Sequence, residues 1–112
     1  MKIYHNPRCF KSRQTLALLK ENGVEPDVVL YLDNIMTAGE LRGLLVKLGI
    51  SPMQLVRKGE AVWKDNYKGK ELSDDQVIEA MIANPKLIER PIVVKDQLAV
   101  LGRPPENILE LI

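Results

Sequence analysis

Apolar positions along the chain change their spacing twice, and the first part reads as a strand, a helix and a second strand. Residues 2–4 form a short apolar run that predicts a strand, and Asn6-Pro7 ends it with a turn signal. Helical spacing over 12–22 follows and stops at an asparagine and a glycine. The continuous apolar run 28–32 predicts a strand buried on both faces. This βαβ pattern places Cys9 at or just before a helix N-terminus.

The middle of the chain carries the signals of several helices. Two pairs of capping residues open two of them, namely Thr37 with Glu40 and Ser73 with Gln76. Ser51-Pro52 predicts a short helix through about Val56, since proline is favoured at the first helical position. The polar stretch 57–72 predicts a loop with some helical content, in which Trp63 and Tyr67 can act as anchors.

The last part returns to strands. Residues 92–94 and 99–101 have the spacing of a hairpin, and Pro104-Pro105 opens a final helix. The resulting order, β-α-β then β-β-α, predicts an α/β fold of the thioredoxin-like type with a mixed four-stranded sheet. We expect a single domain over 1–112 with a helical insertion at about 37–88.

Composition indicates the class of protein, and the charged residues are distributed unevenly along the chain. The chain of 112 residues is 46% hydrophobic and lacks a run long enough for a membrane helix or a signal peptide, so we expect a cytoplasmic protein. The formal net charge is only +1, which gives no reason to expect a nucleic-acid or membrane partner. The first 20 residues nevertheless hold five cations and no acid, and they surround the only cysteine.

Cys9 is the residue with the clearest chemical potential. A free cysteine is often a small buried hydrophobe, but a helix N-terminus and the charges of Arg8, Lys11 and Arg13 favour a reactive thiolate. With one cysteine and one histidine, the chain can form neither an internal disulfide nor a zinc site of cysteines and histidines. A disulfide formed at Cys9 must therefore be resolved by another molecule.

Ser12 and His5 are candidates for supporting this thiol. Ser12 lies three residues after Cys9, so its hydroxyl can donate to the sulfur, although it could equally be an ordinary helix-start residue. His5 can tune the thiolate or order the loop, or it can be purely structural.

Three arginines stand at sharply placed positions, and each alone could be a solvated charge. Arg57 follows a short helix, Arg90 precedes Pro91, and Arg103 lies between a glycine and a proline. In a thioredoxin-like sheet the residues before the third strand and after the fourth lie near the first loop. Guanidinium groups that converge there would bind a tetrahedral oxyanion, and the bond before Pro91 can be cis. Aromatic and basic residues around Trp63 could also form a nucleic-acid-binding patch, but the acidic residues between them weaken that hypothesis.

These residues and the segments around them resemble the thioredoxin-like arsenate reductase family that uses glutathione and glutaredoxin. The matching segments are 3–9 with Ser12, Arg13, Thr15 and Leu16, then 29–32, 48–50, 55–58, 84–85, 90–94 and 102–105. The resemblance implies a catalytic cysteine at Cys9, an oxyanion-binding triad of Arg57, Arg90 and Arg103, and a cis proline at Pro91. We expect support for the thiol from His5, Asn6, Arg8, Ser12 and Arg13.

The resemblance also implies an oxidoreductase that reduces arsenate to arsenite, with glutathione as co-substrate and glutaredoxin as partner. No metal or bound cofactor is expected, and we expect a monomer. Phe10 and Lys11 follow the cysteine where many members have small residues, which keeps open a reductase of another thiol-linked substrate. Related regulators bind RNA polymerase, but they often carry Cys-x-x-Cys, which this chain lacks.

Overall fold

A computed structural model describes all residues from 1 to 112, and the chain divides into two compact units. The first, which we call the sheet unit, consists of 1–34 and 90–112. The second, the helical unit, consists of 35–89 and contains the stretch predicted as an insertion. The organisation of 1–112 as a single domain stays a prediction.

The sheet unit is built on four strands and one long helix. The strands are β1 (Lys2–Tyr4), β2 (Asp27–Val29), β3 (Ile92–Lys95) and β4 (Leu98–Leu101), and α1 covers Phe10–Glu21. The strand order is β2-β1-β3-β4; β1 pairs parallel with β2 and antiparallel with β3, and β3 pairs antiparallel with β4. This confirms the predicted mixed four-stranded sheet and the thioredoxin-like connectivity, with the hairpin where it was expected.

Strand β2 is shorter and more exposed than the prediction of a strand buried on both faces. It ends at Val29, and Val28 is 46% exposed because β2 is an edge strand that pairs only with β1. The following residues form a turn in which Asp33 N and Asn34 N both donate to Leu30 O. The apolar run therefore belongs partly to this turn, a distinction that hydrophobicity alone cannot make.

The core of the sheet unit lies between the sheet, α1 and the end of the chain. Its buried cluster consists of Ile3, Leu19, Val93, Ile108 and Leu111. The final helix was predicted as an α-helix, but Pro105–Leu111 is a 3-10 helix. Its buried residues are Pro105, Ile108 and Leu111. In a helix with three residues per turn, a spacing of three places these residues directly in line on one face.

The helical unit contains four α-helices and a short 3-10 helix. The α-helices are α2 (Ala38–Leu48), α3 (Pro52–Leu55), α4 (Ala61–Asn66) and α5 (Asp74–Ala83), and the 3-10 helix covers Pro85–Leu87. All three predicted helix starts are confirmed, since Thr37, Ser51 and Ser73 are the N-caps of α2, α3 and α5. Thr37 Oγ1 accepts from Glu40 N at 3.1 Å, and Ser73 Oγ accepts from Gln76 N at 3.2 Å.

Aromatic packing and a pair of antiparallel segments tie the helical unit together. Trp63 is buried and its ring stacks on that of Tyr67 at 5.3 Å, so this tryptophan is an anchor rather than part of a nucleic-acid surface. Val56 and Ile88 form an antiparallel bridge, which is extended by the bond from Arg57 N to Leu87 O at 2.7 Å. The Arg57 side chain therefore extends from a segment of backbone that is held by hydrogen bonds.

Candidate functional site

Cys9 is the N-cap of α1, as the sequence predicts, and the loop before it is organised by Asn6. The backbone oxygen of Asn6 accepts from Cys9 N at 3.0 Å, and its side-chain Oδ1 accepts from Arg8 N at 3.0 Å. Asn6 is itself buried, although it lies between a strand and a helix. These bonds bend the chain into a turn that presents the half-buried Cys9 thiol at the start of the helix.

Ser12 supports this turn in a different way from the one predicted. Its fully buried hydroxyl lies 2.6 Å from His5 Nδ1 and accepts a hydrogen bond from Asn6 N at 3.0 Å. The group that Ser12 offers to the thiol is its backbone N–H. The hydroxyl therefore orders the loop, and the helix backbone contacts the sulfur.

Two of the three predicted arginines reach Cys9. The Arg90 side chain hydrogen-bonds the thiol, and Arg103 Nη1 lies 3.9 Å from Cys9 Sγ. The same Nη1 lies 3.4 Å from the backbone oxygen of Arg90, which links the two arginines. Their positions follow from the antiparallel pairing of β3 with β4, because Arg90 precedes the first strand and Arg103 follows the second.

Arg57 belongs to the helical unit. Its Nε lies 3.5 Å from Glu60 Oε1, and about a quarter of its side chain is exposed. Its part in an oxyanion site stays a prediction.

Pro91 and Gly102, which adjoin Arg90 and Arg103 in the sequence, form a tight junction. The Arg90-Pro91 bond is cis, as the family resemblance implies, and the Arg103-Pro104 bond is also cis. Gly102 N donates to Pro91 O at 2.9 Å, and a Cβ on Gly102 would lie 2.5 Å from Thr15 Oγ1.

Thr15 connects this junction to α1. Its buried hydroxyl lies 2.9 Å from Lys11 O and 3.2 Å from Gly102 O. Sequence reasoning assigned no role to Thr15 or Gly102, because their contact spans 87 positions of the chain. The glycine between a strand and an arginine was the one available signal, since such glycines often mark a close approach of backbone.

The thiol of Cys9 is acidified by its surroundings. Burial raises its pKa, but the Ser12 N–H, the hydrogen bond and charge of Arg90, and the Lys11 N–H together lower the pKa below the ordinary thiol value. The predicted direction and the predicted contribution of the helix N-terminus are confirmed, but the cation that lowers the pKa is Arg90 rather than Arg8, Lys11 or Arg13. A lowered pKa increases the fraction of nucleophilic thiolate at neutral pH.

His5 is held neutral beside the same loop. Its burial lowers its pKa, and the positive charge of Arg13 lowers the pKa further. A neutral imidazole can share a hydrogen bond with the Ser12 hydroxyl without placing a buried cation near the charge of Arg13.

Arg8 and Arg13 are exposed and lie around the loop rather than against the sulfur. Arg13 Nη1 donates to Pro7 O at 2.9 Å, and its guanidinium lies 5.9 Å from the centre of the Phe10 ring. The contact between Phe10 and Arg13 was not predicted, although residues three apart on a helix are neighbours.

The site as a whole combines one nucleophile, the Cys9 thiol, with the two cations Arg90 and Arg103. A thiolate flanked by two guanidinium groups suits attack on an anionic electrophile, since the cations neutralise charge as the bond forms. No three His, Cys, Asp or Glu side chains come together in a way that could hold a metal ion. None of the helices has the length and apolar content needed to span a bilayer.

Known proteins share both the sequence and the fold. The uncharacterized protein YfgD of Escherichia coli (strain K12) is 55% identical over 114 residues, covering 100% of this chain and 96% of YfgD. The arsenate reductase of Haemophilus influenzae is 42% identical over 112 residues, covering 98% of this chain and 97% of that protein. The solved arsenate reductase from Vibrio cholerae superposes with a TM-score of 0.95 at 46% identity, covering 99% of this chain and 96% of that one.

The family comparison agrees with these relatives and with the site. The model of the ArsC family matches residues 4–111, which include Cys9 and all three candidate arginines. Because this match spans nearly the whole chain, the protein belongs to the ArsC family.

Proposed function

We propose that this protein reduces arsenate to arsenite through the Cys9 thiolate. The observation that carries the proposal is the meeting of three groups at the start of α1: the acidified Cys9 thiol, the Arg90 side chain bonded to it, and Arg103 Nη1 at 3.9 Å. The arsenate reductases among its relatives support the same substrate.

The arginines bind and neutralise the substrate in this proposal. Arsenate is a tetrahedral oxyanion, and guanidinium groups bind such anions through paired hydrogen bonds. Arg90 and Arg103 are proposed for this role on the basis of their contacts with Cys9. For Arg57 the proposal rests on the resemblance of its segment to the family.

Reduction proceeds in two covalent steps. The Cys9 sulfur attacks arsenic, a hydroxyl group of the arsenate takes up a proton from the solvent and leaves as water, and a bond from sulfur to As(V) forms. The sulfur of a glutathione molecule then attacks Cys9 Sγ, and the electron pair of the sulfur to arsenic bond stays on arsenic. Arsenite leaves as As(III), and the two sulfur atoms, which have lost two electrons between them, form a mixed disulfide.

Regeneration requires a second molecule because the chain has one cysteine. We propose that the thiolate of a glutaredoxin attacks the glutathione sulfur of the mixed disulfide and releases Cys9 reduced. The reaction needs no metal or bound organic cofactor. The reaction depends on reducing thiols, which are abundant in the cytoplasm, and we place the protein there. We propose that it acts as a monomer.

The supporting residues have positioning roles in this scheme. Ser12 and Lys11 hold the thiolate with backbone N–H groups, and His5 and Asn6 hold the loop. Arg8 and Arg13 add positive charge at its exposed edge.

The deciding measurement is arsenate-dependent NADPH consumption in a system that contains glutathione, glutathione reductase and glutaredoxin. Wild-type protein should show a rate that Cys9→Ser abolishes. Arg103→Gln should raise the KM for arsenate about tenfold, because it removes one charged hydrogen bond to the anion. Arg57→Gln tests the third arginine in the same way.

Lys20→Gln serves as the matched control for the arginine variants. It removes an exposed cation from the last turn of α1, far along the helix from Cys9, and should leave the rate unchanged. A wild-type rate no greater than that of Cys9→Ser means that the protein is not an arsenate reductase.

A further inference from the structure

Phe10 is an exposed aromatic ring directly after the nucleophile. It is the only phenylalanine of the chain, it is the first residue of α1, and 61% of it is exposed. Large apolar side chains are usually buried, and a ring at the edge of a chemical site can contact a ligand that enters it.

Arg13 is fixed against this ring in advance. Its guanidinium lies 5.9 Å from the ring centre, and its Nη1 donates to Pro7 O at 2.9 Å. A guanidinium has five N–H donors, so donors remain for a ligand on this exposed side chain. The Arg13 side chain is already held at two points. It therefore loses less conformational entropy when it binds a carboxylate than an unrestrained arginine side chain would.

The surroundings of this pair carry one sign of charge. Arg8 and Lys11 are exposed beside it, and the first turn of α1 contains no acidic residue. A ligand that fits must therefore be anionic and must have an apolar part that can lie on the ring.

We propose that Phe10 and Arg13, which we call the Phe10–Arg13 pair, dock a small peptide thiol or disulfide that carries carboxylates, with its sulfur directed to Cys9. The carboxylate binds the Arg13 guanidinium, and the carbon atoms of the peptide lie against the Phe10 ring. In the proposed arsenate reaction the pair would select which external thiol reaches Cys9. This part of the inference rests on the proposed function.

The docking can be measured without arsenate through thiol-disulfide exchange. The Cys9 thiolate attacks one sulfur of a symmetrical disulfide, a mixed disulfide forms at Cys9, and the other half leaves as a thiolate. Glutathione disulfide is the carboxylate-bearing probe, hydroxyethyl disulfide is neutral, and cystamine is cationic. Mass spectrometry follows the modified protein, and each rate is divided by the rate of alkylation with neutral iodoacetamide, which corrects for changes in thiolate content.

Two variants and two controls test the pair. Arg13→Gln should lower the normalised preference for glutathione disulfide over hydroxyethyl disulfide about fivefold, and Phe10→Ala about threefold, because loss of the ring frees the guanidinium. Lys20→Gln removes an exposed cation elsewhere on α1, and Leu98→Ala removes an exposed apolar side chain on β4. Both controls should keep the wild-type preference.

Salt and the third probe separate docking from a general charge effect. The preference should decrease at high salt, and cystamine should react more slowly than hydroxyethyl disulfide. If wild-type protein shows no preference for glutathione disulfide, or if Arg13→Gln lowers it no more than Lys20→Gln, the docking proposal is wrong. Those results leave the arsenate assay unaffected. Conversely, a preference that depends on Arg13 supports the docking even in a protein without arsenate-dependent NADPH consumption.

Discussion

The chemistry of Cys9 depends on a few groups that other parts of the chain bring to it. Ser12 N–H and Lys11 N–H come from the first turn of the same helix, whereas Arg90 comes from the residue just before β3. Burial by itself would raise the pKa of the thiol, so these contacts must outweigh it. The acidity of Cys9 therefore depends both on the folded start of its own helix and on Arg90, which is distant in sequence.

We predict that alkylation of wild-type Cys9 with iodoacetamide has its midpoint below the ordinary thiol pKa of about 8.5. Arg90→Gln should move the midpoint upward, because the variant loses both a hydrogen bond to the thiolate and a positive charge. Lys20→Gln should leave it in place. A profile of an ordinary thiol in the wild-type protein would remove the electrostatic basis of the mechanism.

The helix and the hairpin that carry the site are held together at Gly102. Thr15 of α1 and Pro91 before β3 approach this glycine so closely that a Cβ would lie 2.5 Å from Thr15 Oγ1 and 2.8 Å from Pro91 Cγ. Arg103 follows immediately, so the position of its backbone depends on this packing. The junction thus determines how near the arginines lie to the N-terminus of α1.

Gly102→Ala should destabilise the protein by about 1 to 3 kcal/mol, since the added methyl group meets a buried side chain and a proline ring. Urea unfolding followed by circular dichroism measures the free energy of unfolding. Gly43→Ala is the matched control: this glycine lies within α2 with open space around its Cβ position. There alanine should stabilise the protein by about 0.5 to 1 kcal/mol. Equal effects of the two substitutions would contradict the close packing at Gly102.

The molecule as a whole combines a unit whose segments are distant in sequence with a unit that is one continuous stretch of sequence. In the sheet unit β1 pairs with β3, so that Lys2 lies opposite Val94, whereas the helical unit is a continuous stretch of chain. Buried polar groups such as His5 and Ser12 keep their hydrogen bonds only while the sheet unit is assembled. The titration of His5 therefore reports on the stability of the folded protein.

We predict that the free energy of unfolding decreases as the pH falls below about 6.5, the ordinary histidine pKa. The folded protein lowers the pKa of His5, so the unfolded chain takes up the proton first, and each step towards acid favours unfolding. The slope contributed by His5 should approach at most about 1.4 kcal/mol per pH unit.

His5→Asn should remove this slope between neutral pH and the range where carboxylates begin to titrate. Asparagine places an amide near the position of Nδ1, where it can still bond Ser12 Oγ, but it does not titrate. The comparison is direct because His5 is the only histidine. An unchanged slope in the variant would show that another group is responsible.

Local signals in the sequence were sufficient for most elements of the fold. The capping residues Thr37 and Ser73, the stop near Gly23 and the hairpin spacing all act over a few residues, so they can be recognised without knowing what packs against them. The order of the elements then predicted the sheet. The placement of Cys9 at a helix N-terminus follows from the same local information.

The features that local sequence signals could not predict depend on long-range packing. The 3-10 geometry at Ile108 is set by which residues face the core, and the exposure of Val28 is set by the strand order. The bond of the Ser12 hydroxyl to His5 and the distance from Arg103 to Cys9 depend on how separate segments meet. Sheet connectivity indicated that Arg90 and Arg103 would lie near the first loop. Only tertiary structure could place them against the thiol, because that distance depends on strand register and on the packing at Gly102.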